Sequence, residues 1–409
     1  MAPVSPKVIA PFCLGVAMHL GFFIRGEWHL RAPTIFLAHA LVFILLSAKQ
    51  LVSALPTWHG VALPFLDRAA IKQYYQRITT HALELESIIS AQKAKPIVMN
   101  DLLYQMTFDV LKDIGFGQAN MEIKDGASVL GGSLSILGPT TPSPWILRMA
   151  FALFPGAWNI PHWFKFLAFT QSIVEKRIQS EPESVDIASF FIEDSQRKDA
   201  DKISREAVGG DCGVILLAGS TSGPSLILLF YCLARWPEHA EKIRQELRNV
   251  DYNDMTALSA LPHLTATINE SMRLYPAGPT FGSRITPPDG LNCEGVYIPG
   301  GIKVVAPRYS LGRLEEAYEA PHEFIPERWY SKPELVKDKR AFAPFSMGRN
   351  SCAGKKVAMS EMRLTVAILV SKYSIRFAPG TSDGLLVEKN MRDQLTPLPG
   401  ELKLVFEKL

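Results

Sequence analysis

A mainly α fold carrying small β-sheets is what this sequence predicts, and three patterns point to it. The run 214–234 contains no charged residue, and 355–373 sets Val357, Met359, Met362, Leu364, Val366, Ile368 and Leu369 in a strongly apolar helical stretch. Leu261, Leu264, Ile268 and Met272 recur at helical spacing and mark one apolar face. Only 290–306 reads differently, as short strands held between Gly and Pro turns.

Each helix carries its own punctuation. The 261–274 pattern should stop at Tyr275-Pro276, because a residue before proline is pushed out of helical geometry. Within it, Glu270 and Arg273 stand three apart, a spacing that brings carboxylate and guanidinium together. Hydropathy alone would make 214–234 a membrane span. Its interior, Gly219, Ser220, Thr221, Ser222, Gly223 and Pro224, argues against that. Pro224 lacks a backbone donor and clashes with the preceding turn, so the helix should open or kink near 220–222.

Composition bounds the rest. With 409 residues, 47% hydrophobic and 20% charged, the chain can bury a large core, and length alone suggests two or three domains. A net charge of +3, with no basic cluster interleaved with aromatics, argues against a nucleic-acid partner. Cys13, Cys212, Cys232, Cys293 and Cys352 are widely spaced and suggest neither a disulfide framework nor a cysteine zinc site. Two apolar stretches, 8–24 and 34–48, flank the polar link 25–31. They read as two transmembrane segments of an anchor over residues 1–50, ahead of the remainder, 51–409. The aromatics of 145–169 read mainly as core or membrane-contact residues, and 181–186 and 196–202 as polar connectors.

The chemistry concentrates at Cys352. Gly348 and Gly354 surround it with a turn-forming loop directly ahead of the 355–373 helix, and Phe345 can cover its sulfur. Such a loop presents a thiolate to haem iron, with nearby amides and the helix N-terminus favouring the charged sulfur. A lone buried cysteine is otherwise a small hydrophobe.

The loop resembles the haem-binding signature of the cytochrome P-450 family, Phe-x-x-Gly-x-Arg-x-Cys-x-Gly, with Asn350 where the family has Arg and Arg349 one place earlier. Glu270 and Arg273, then Arg328 in the 326–329 segment, then the cysteine loop stand in the order of the family's Glu-Arg-Arg cluster. The resemblance implies one helical domain around haem b with small sheets at its edge. It makes Cys352 the axial ligand, with Phe345, Gly348 and Arg349 in the haem loop and Glu270, Arg273 and Arg328 supporting it. Arg284 matches a position that often pairs with a haem propionate, the alternative being a solvated surface arginine.

Residues 218–223 resemble the family's oxygen-handling segment, Ala/Gly-Gly-x-Asp/Glu-Thr-Thr/Ser, without its acid. Ser222 takes the place of the catalytic alcohol and Thr221 that of the acid. Proton delivery to dioxygen normally uses such a pair, the alternative being that these hydroxyls only satisfy helix carbonyls. The double anchor resembles that of fungal secondary-metabolite members. The implied activity is monooxygenation of a lipophilic small molecule at the endoplasmic reticulum membrane, with the catalytic domain cytosolic. Electrons would come through NADPH-cytochrome P-450 reductase, since the chain has no dinucleotide or flavin fingerprint. A family isomerase or dehydratase needing no NADPH, and a haem-free membrane protein without catalysis, are the alternatives. Between Lys49 and Pro64 there is no room for the family's usual N-terminal sheet and haem-facing helix, so the fold is expected to be shortened.

Overall fold

The computed structural model describes residues 68–117, 160–180, 186–196, 202–219, 221–280, 283–348, 351–394 and 396–409. The anchor segments, Cys13, the loop prolines before 145, Phe151, Phe154, Trp158, Ser220, Arg349 and Asn350 lie outside them.

The N-terminal part runs α1 (Arg68–Ala91), β1 (Ile97–Val98) and α2 (Met99–Phe116). It continues with α3 (Ile160–Gln179), α4 (Ile187–Gln196), α5 (Lys202–Gly219) and α6 (Ser222–Arg235). Three shorter helices follow, α7 (Pro237–Leu247), α8 (Met255–Ala260) and α9 (Pro262–Leu274). Strands β2 (Ser283–Ile285), β3 (Leu291–Cys293), β4 (Val296–Ile298) and β5 (Lys303–Val305) lead to the one-turn helix α10 (Arg308–Leu311). The C-terminal part is α11 (Lys355–Lys372), β6 (Tyr373–Phe377), α12 (Leu385–Lys389), β7 (Arg392–Gln394), β8 (Thr396–Leu398) and β9 (Lys403–Lys408).

Local chemistry fixes the helix ends. Pro237 and Pro262 open α7 and α9 at a position where no backbone donor is needed. Asp254 caps α8 by accepting the N–H groups of Thr256 and Ala257. Tyr275 terminates α9 in a non-helical conformation, as Pro276 requires. Asp186, read from sequence as part of a plain connector, is fully buried: it accepts the Ser189 N–H at the start of α4 and bonds Arg177 at 2.6 Å.

The long apolar helix is divided. α5 ends at Gly219, Thr221 forms a turn, and α6 begins at Ser222. Pro224 therefore falls in the first turn of a new helix, where its missing donor leaves no bond unmade, instead of kinking a continuous one. Every residue from Ser222 to Ala234 is buried, so the apolar run is core. Among the described residues, no helix is long and apolar enough to cross a membrane.

α6 packs on α2, α9, α7 and α11, and α11 packs on α1, which makes α6 and α11 the centre of one hydrophobic core. Beside it, β9 pairs antiparallel with both β1 and β6, setting Ile97 opposite Leu404 and Ile375 opposite Phe406. Two-stranded ribbons β2–β5, β3–β4 and β7–β8 stand at the edge. Pairing of Cys293 with Val296 in β3–β4 matches the short strands expected over 290–306, and both residues are exposed.

Candidate functional site

The Glu270 cluster is the best-defined constellation. α9 carries Glu270 and Arg273 on its buried face, and the 3-10 turn Pro326–Trp329 brings Arg328 to them. Glu270 Oε1 accepts Arg273 Nη2 at 2.8 Å, Arg328 Nε at 3.0 Å and the Ile325 N–H at 2.9 Å. Its Oε2 accepts Arg273 Nε and Trp329 Nε1, both at 2.9 Å. One carboxylate thus faces two guanidinium groups, and backbone carbonyls take up the remaining donors. Arg273 donates to Gly312, Pro321 and Glu323, and Arg328 to Glu319, Ala320 and Leu335. The three side chains are wholly buried, so each charge depends on these partners. Gly312 is part of the device, because a Cβ there would stand 2.3 Å from the Arg273 carbonyl oxygen.

Downstream, the cysteine loop is held by its own backbone. The Cys352 N–H donates to the Phe345 carbonyl at 2.7 Å and the Ser351 N–H to Gly348 at 3.0 Å. Gly348 has φ +73, the left-handed conformation that the loop demands and a side chain would resist. α11 starts three residues after the cysteine, with Gly354 at its N-cap. The N–H groups of Gly354 and Lys355 point at the Cys352 sulfur. Crowding around the sulfur raises the thiol pKa, and these amides and the Lys355 ammonium oppose that rise. Cys352 is nonetheless exposed as a residue. Half-buried Phe345 packs against the core, 5.8 Å from Lys355 Nζ.

The oxygen-segment residues separate. Thr221 Oγ1 donates to the Ala218 carbonyl at 2.7 Å, and Ser222 Oγ lies 3.1 Å from the Gly219 carbonyl. Ser222 also lies beside Glu361 of α11 and acts to lower its pKa. Glu361 was not among the residues singled out from sequence. It is 3% exposed, one carboxylate oxygen has no partner, and burial pushes its pKa up to about 7 against the nearby Ser222 and His81. An acid inside an apolar helical run was the available signal. Arg284 lies on exposed β2, bonds the adjacent Ser283 carbonyl and stands near Arg308.

Comparison with known proteins places this geometry. The sequence profile of cytochrome P450 matches residues 61–404. The chain belongs to the cytochrome P450 family. It is 32% identical over 354 residues to the cytochrome P450 monooxygenase sthD of Phaeosphaeria nodorum, covering 82% of this chain and 73% of that protein. It is 31% identical to the monooxygenase notG' of Aspergillus versicolor, covering 81% of this chain and 62% of that protein. Tryprostatin B 6-hydroxylase of Neosartorya fischeri is 37% identical over 247 residues, 59% of this chain and 44% of the hydroxylase. Most of these matches therefore span under two thirds of the relative's length. Retinoic-acid-bound cyanobacterial CYP120A1 superposes with a TM-score of 0.72 at 19% identity, covering 86% of this chain and 78% of that one. The P450 fold, mainly helical with small sheets, is thereby established.

The family's cofactor is haem with an axial thiolate, and the donor set here fits it. This P450 offers an exposed cysteine, two amide N–H groups bonded to its sulfur, and a helix N-terminus three residues on.

Proposed function

We propose that this P450 is a haem-thiolate monooxygenase that inserts one oxygen atom from O2 into a lipophilic small molecule of fungal secondary metabolism. Cys352 is its axial ligand, and its electrons come from NADPH-cytochrome P450 reductase. Residues 1–50 anchor it in the endoplasmic reticulum membrane and 51–409 form its cytosolic catalytic domain. The observation that carries this reading is the pair of amide N–H groups directed at the Cys352 sulfur. Relatives named as monooxygenases, and one named as a hydroxylase, support the reaction class.

Haem bound there supplies oxygen activation, with thiolate donation favouring O–O cleavage. The chain's own residues hold the ligand and manage protons. The Gly354 and Lys355 amides stabilise the thiolate, and Phe345 holds the loop closed through its carbonyl, which accepts the Cys352 N–H. Glu270, Arg273 and Arg328 fix the segment that leads into the cysteine loop. Ser222 holds a proton between α6 and α11, and Glu361, protonated near neutral pH, is the acid in contact with it. Arg349, Gly348 and Arg284 complete the assignment as haem-loop and propionate residues.

Thr221 favours a second reading, since its hydroxyl is engaged with the Ala218 carbonyl and no acid stands at that place. An isomerase or dehydratase in this fold would turn over without NADPH. A reduced carbon-monoxide difference spectrum tests haem and thiolate together, and NADPH omission separates the two reactions. A chain that incorporates no haem would overturn both.

A further inference from the structure

Beneath the Glu270 cluster, His239 of α7, His263 of α9 and Glu327 of the 326–329 turn converge. One donor atom from each lies within 4.8 Å of the other two. We propose that these three side chains form a site for one divalent metal ion of the zinc class, distinct from the haem and completed by a water ligand.

Two imidazole nitrogens and a carboxylate oxygen form a donor set that zinc accepts. Ligands about 2.0–2.1 Å from a tetrahedral ion stand roughly 3.3 Å apart. His239 Nδ1 and His263 Nε2 are already 3.1 Å apart, so they need separate by only a few tenths of an ångström. Glu327 closes the remaining distance by side-chain rotation. Both histidines are buried, and their rings are fixed by packing: His239 stacks on His263 and meets Phe324 edge-on, and Phe324 lies flat on Trp236.

The hydrogen-bonding around the rings suits ligation. Tyr330 Oη is 3.0 Å from His263 Nδ1. With the proton on Nδ1 donated to that oxygen, Nε2 presents its lone pair towards His239 and Glu327.

The opposing group is Lys242, whose ammonium is 2.5 Å from Glu327 Oε1. Its side chain is 47% exposed, so it can swing into solvent and leave the carboxylate to the metal, opening a path for ion and water. Glu238 and Glu270 also act on His239, and both favour a cation there. Without metal, the His239–His263 hydrogen bond satisfies the two facing nitrogens, so the site is compatible with a folded metal-free state. With metal, α7, α9 and the turn bearing Arg328 become joined at a second point beside the Glu270 cluster.

The test uses the full haem-loaded chain, stripped of loose metal and titrated with Zn²⁺, with zinc and iron counted separately by elemental analysis. The expected result is one zinc per chain retained through gel filtration, and a thermal midpoint that rises until one equivalent has been added. Co²⁺ in its place should give the intense visible absorption of a four-coordinate ion. His263→Gln and Glu327→Gln should each lower zinc retention at least tenfold, while Cys352→Ser should retain it. Failure of the wild-type chain to retain zinc, or retention unchanged in both ligand variants, overturns the site. Because the wild-type titration needs no variant, a misfolded mutant cannot obscure the outcome.

Discussion

Arg273 donates two hydrogen bonds to Glu270, 2.9 Å from Nε to Oε2 and 2.8 Å from Nη2 to Oε1, inside a region where neither side chain is exposed. The pair matters because of what it satisfies: with Arg328 also bonded to Oε1, one buried carboxylate serves two buried guanidinium groups. Glu270→Ala would leave two buried guanidinium groups facing each other, at a cost of roughly 3–5 kcal/mol. That is a large share of the ~5–15 kcal/mol by which a domain is stable. The expected outcome is a severe loss of folded, haem-containing protein, read as haem absorbance per milligram. Arg273→Ala should do the same, and full haem content in both variants would refute the supporting role.

Cys352→Ser should abolish the thiolate signature in the reduced carbon-monoxide spectrum. A hydroxyl held by the same two amides remains protonated and supplies no comparable donor. The loop should survive, because its closure rests on the Cys352 N–H and the Phe345 carbonyl, which serine retains. Circular dichroism should therefore be unchanged while the spectrum is lost.

Glu361 gives a prediction in pH. Its folded pKa is raised from an ordinary 4.5 to about 7 by burial, so its neutral form is the one the fold favours. A raised folded value means that the contribution is fully present below 4.5 and is lost as pH climbs through 7. The difference amounts to something on the order of 3 kcal/mol. His263 works in the opposite sense, since its depressed folded pKa removes stability as pH falls from 6.5 towards about 4. Glu361→Gln should flatten the Glu361 limb alone. Thermal midpoints of wild type and Glu361→Gln should converge near pH 4.5 and separate by pH 8, with the variant higher; parallel curves would show that Glu361 titrates normally.

These residues also mark what sequence can convey. Glu270, Arg273 and Arg328 were legible because local spacing and motif order describe them, and the helices because apolar periodicity is a short-range signal. The β1–β9 pairing was not, since Ile97 meets Leu404 across nearly the whole described chain and neither strand alternates for long enough to announce itself. The division between α5 and α6 was foreseen in place, with Pro224 as its cause, but its form as a turn at Thr221 depends on packing against α2. Cβ atoms at Gly219 and Gly223 would collide with Leu111 and press on Tyr104, contacts that no local pattern encodes. His239, His263 and Glu327 come from three separate segments, none with a metal-binding spacing.

Proton delivery is where the chain's departure from its family has the sharpest consequence. Thr221 stands at the acid's place, and its hydroxyl is occupied by the Ala218 carbonyl, so it is poorly set to pass a proton onward. Ser222 also engages a helix carbonyl, that of Gly219, but its oxygen can still accept a proton from Glu361 across the α6–α11 packing. A positioned general acid contributes roughly 10²- to 10⁴-fold to a proton-transfer step. Two routes therefore make different predictions. If the helix acid is the missing element, Thr221→Asp should raise product formed per NADPH consumed. If Glu361 already serves through Ser222, Thr221→Asp should change little, and Ser222→Ala and Glu361→Gln should each lower the ratio by similar factors. The double variant should then be no worse than either single one, because both break the same chain. The ratio is to be measured at equal haem content, since all these side chains lie near the core and a loss of cofactor would mimic uncoupling. The Ser222–Glu361 contact makes the second pattern the expected one. Independent, additive losses from the two residues would show that protons arrive by separate paths and that their contact is structural.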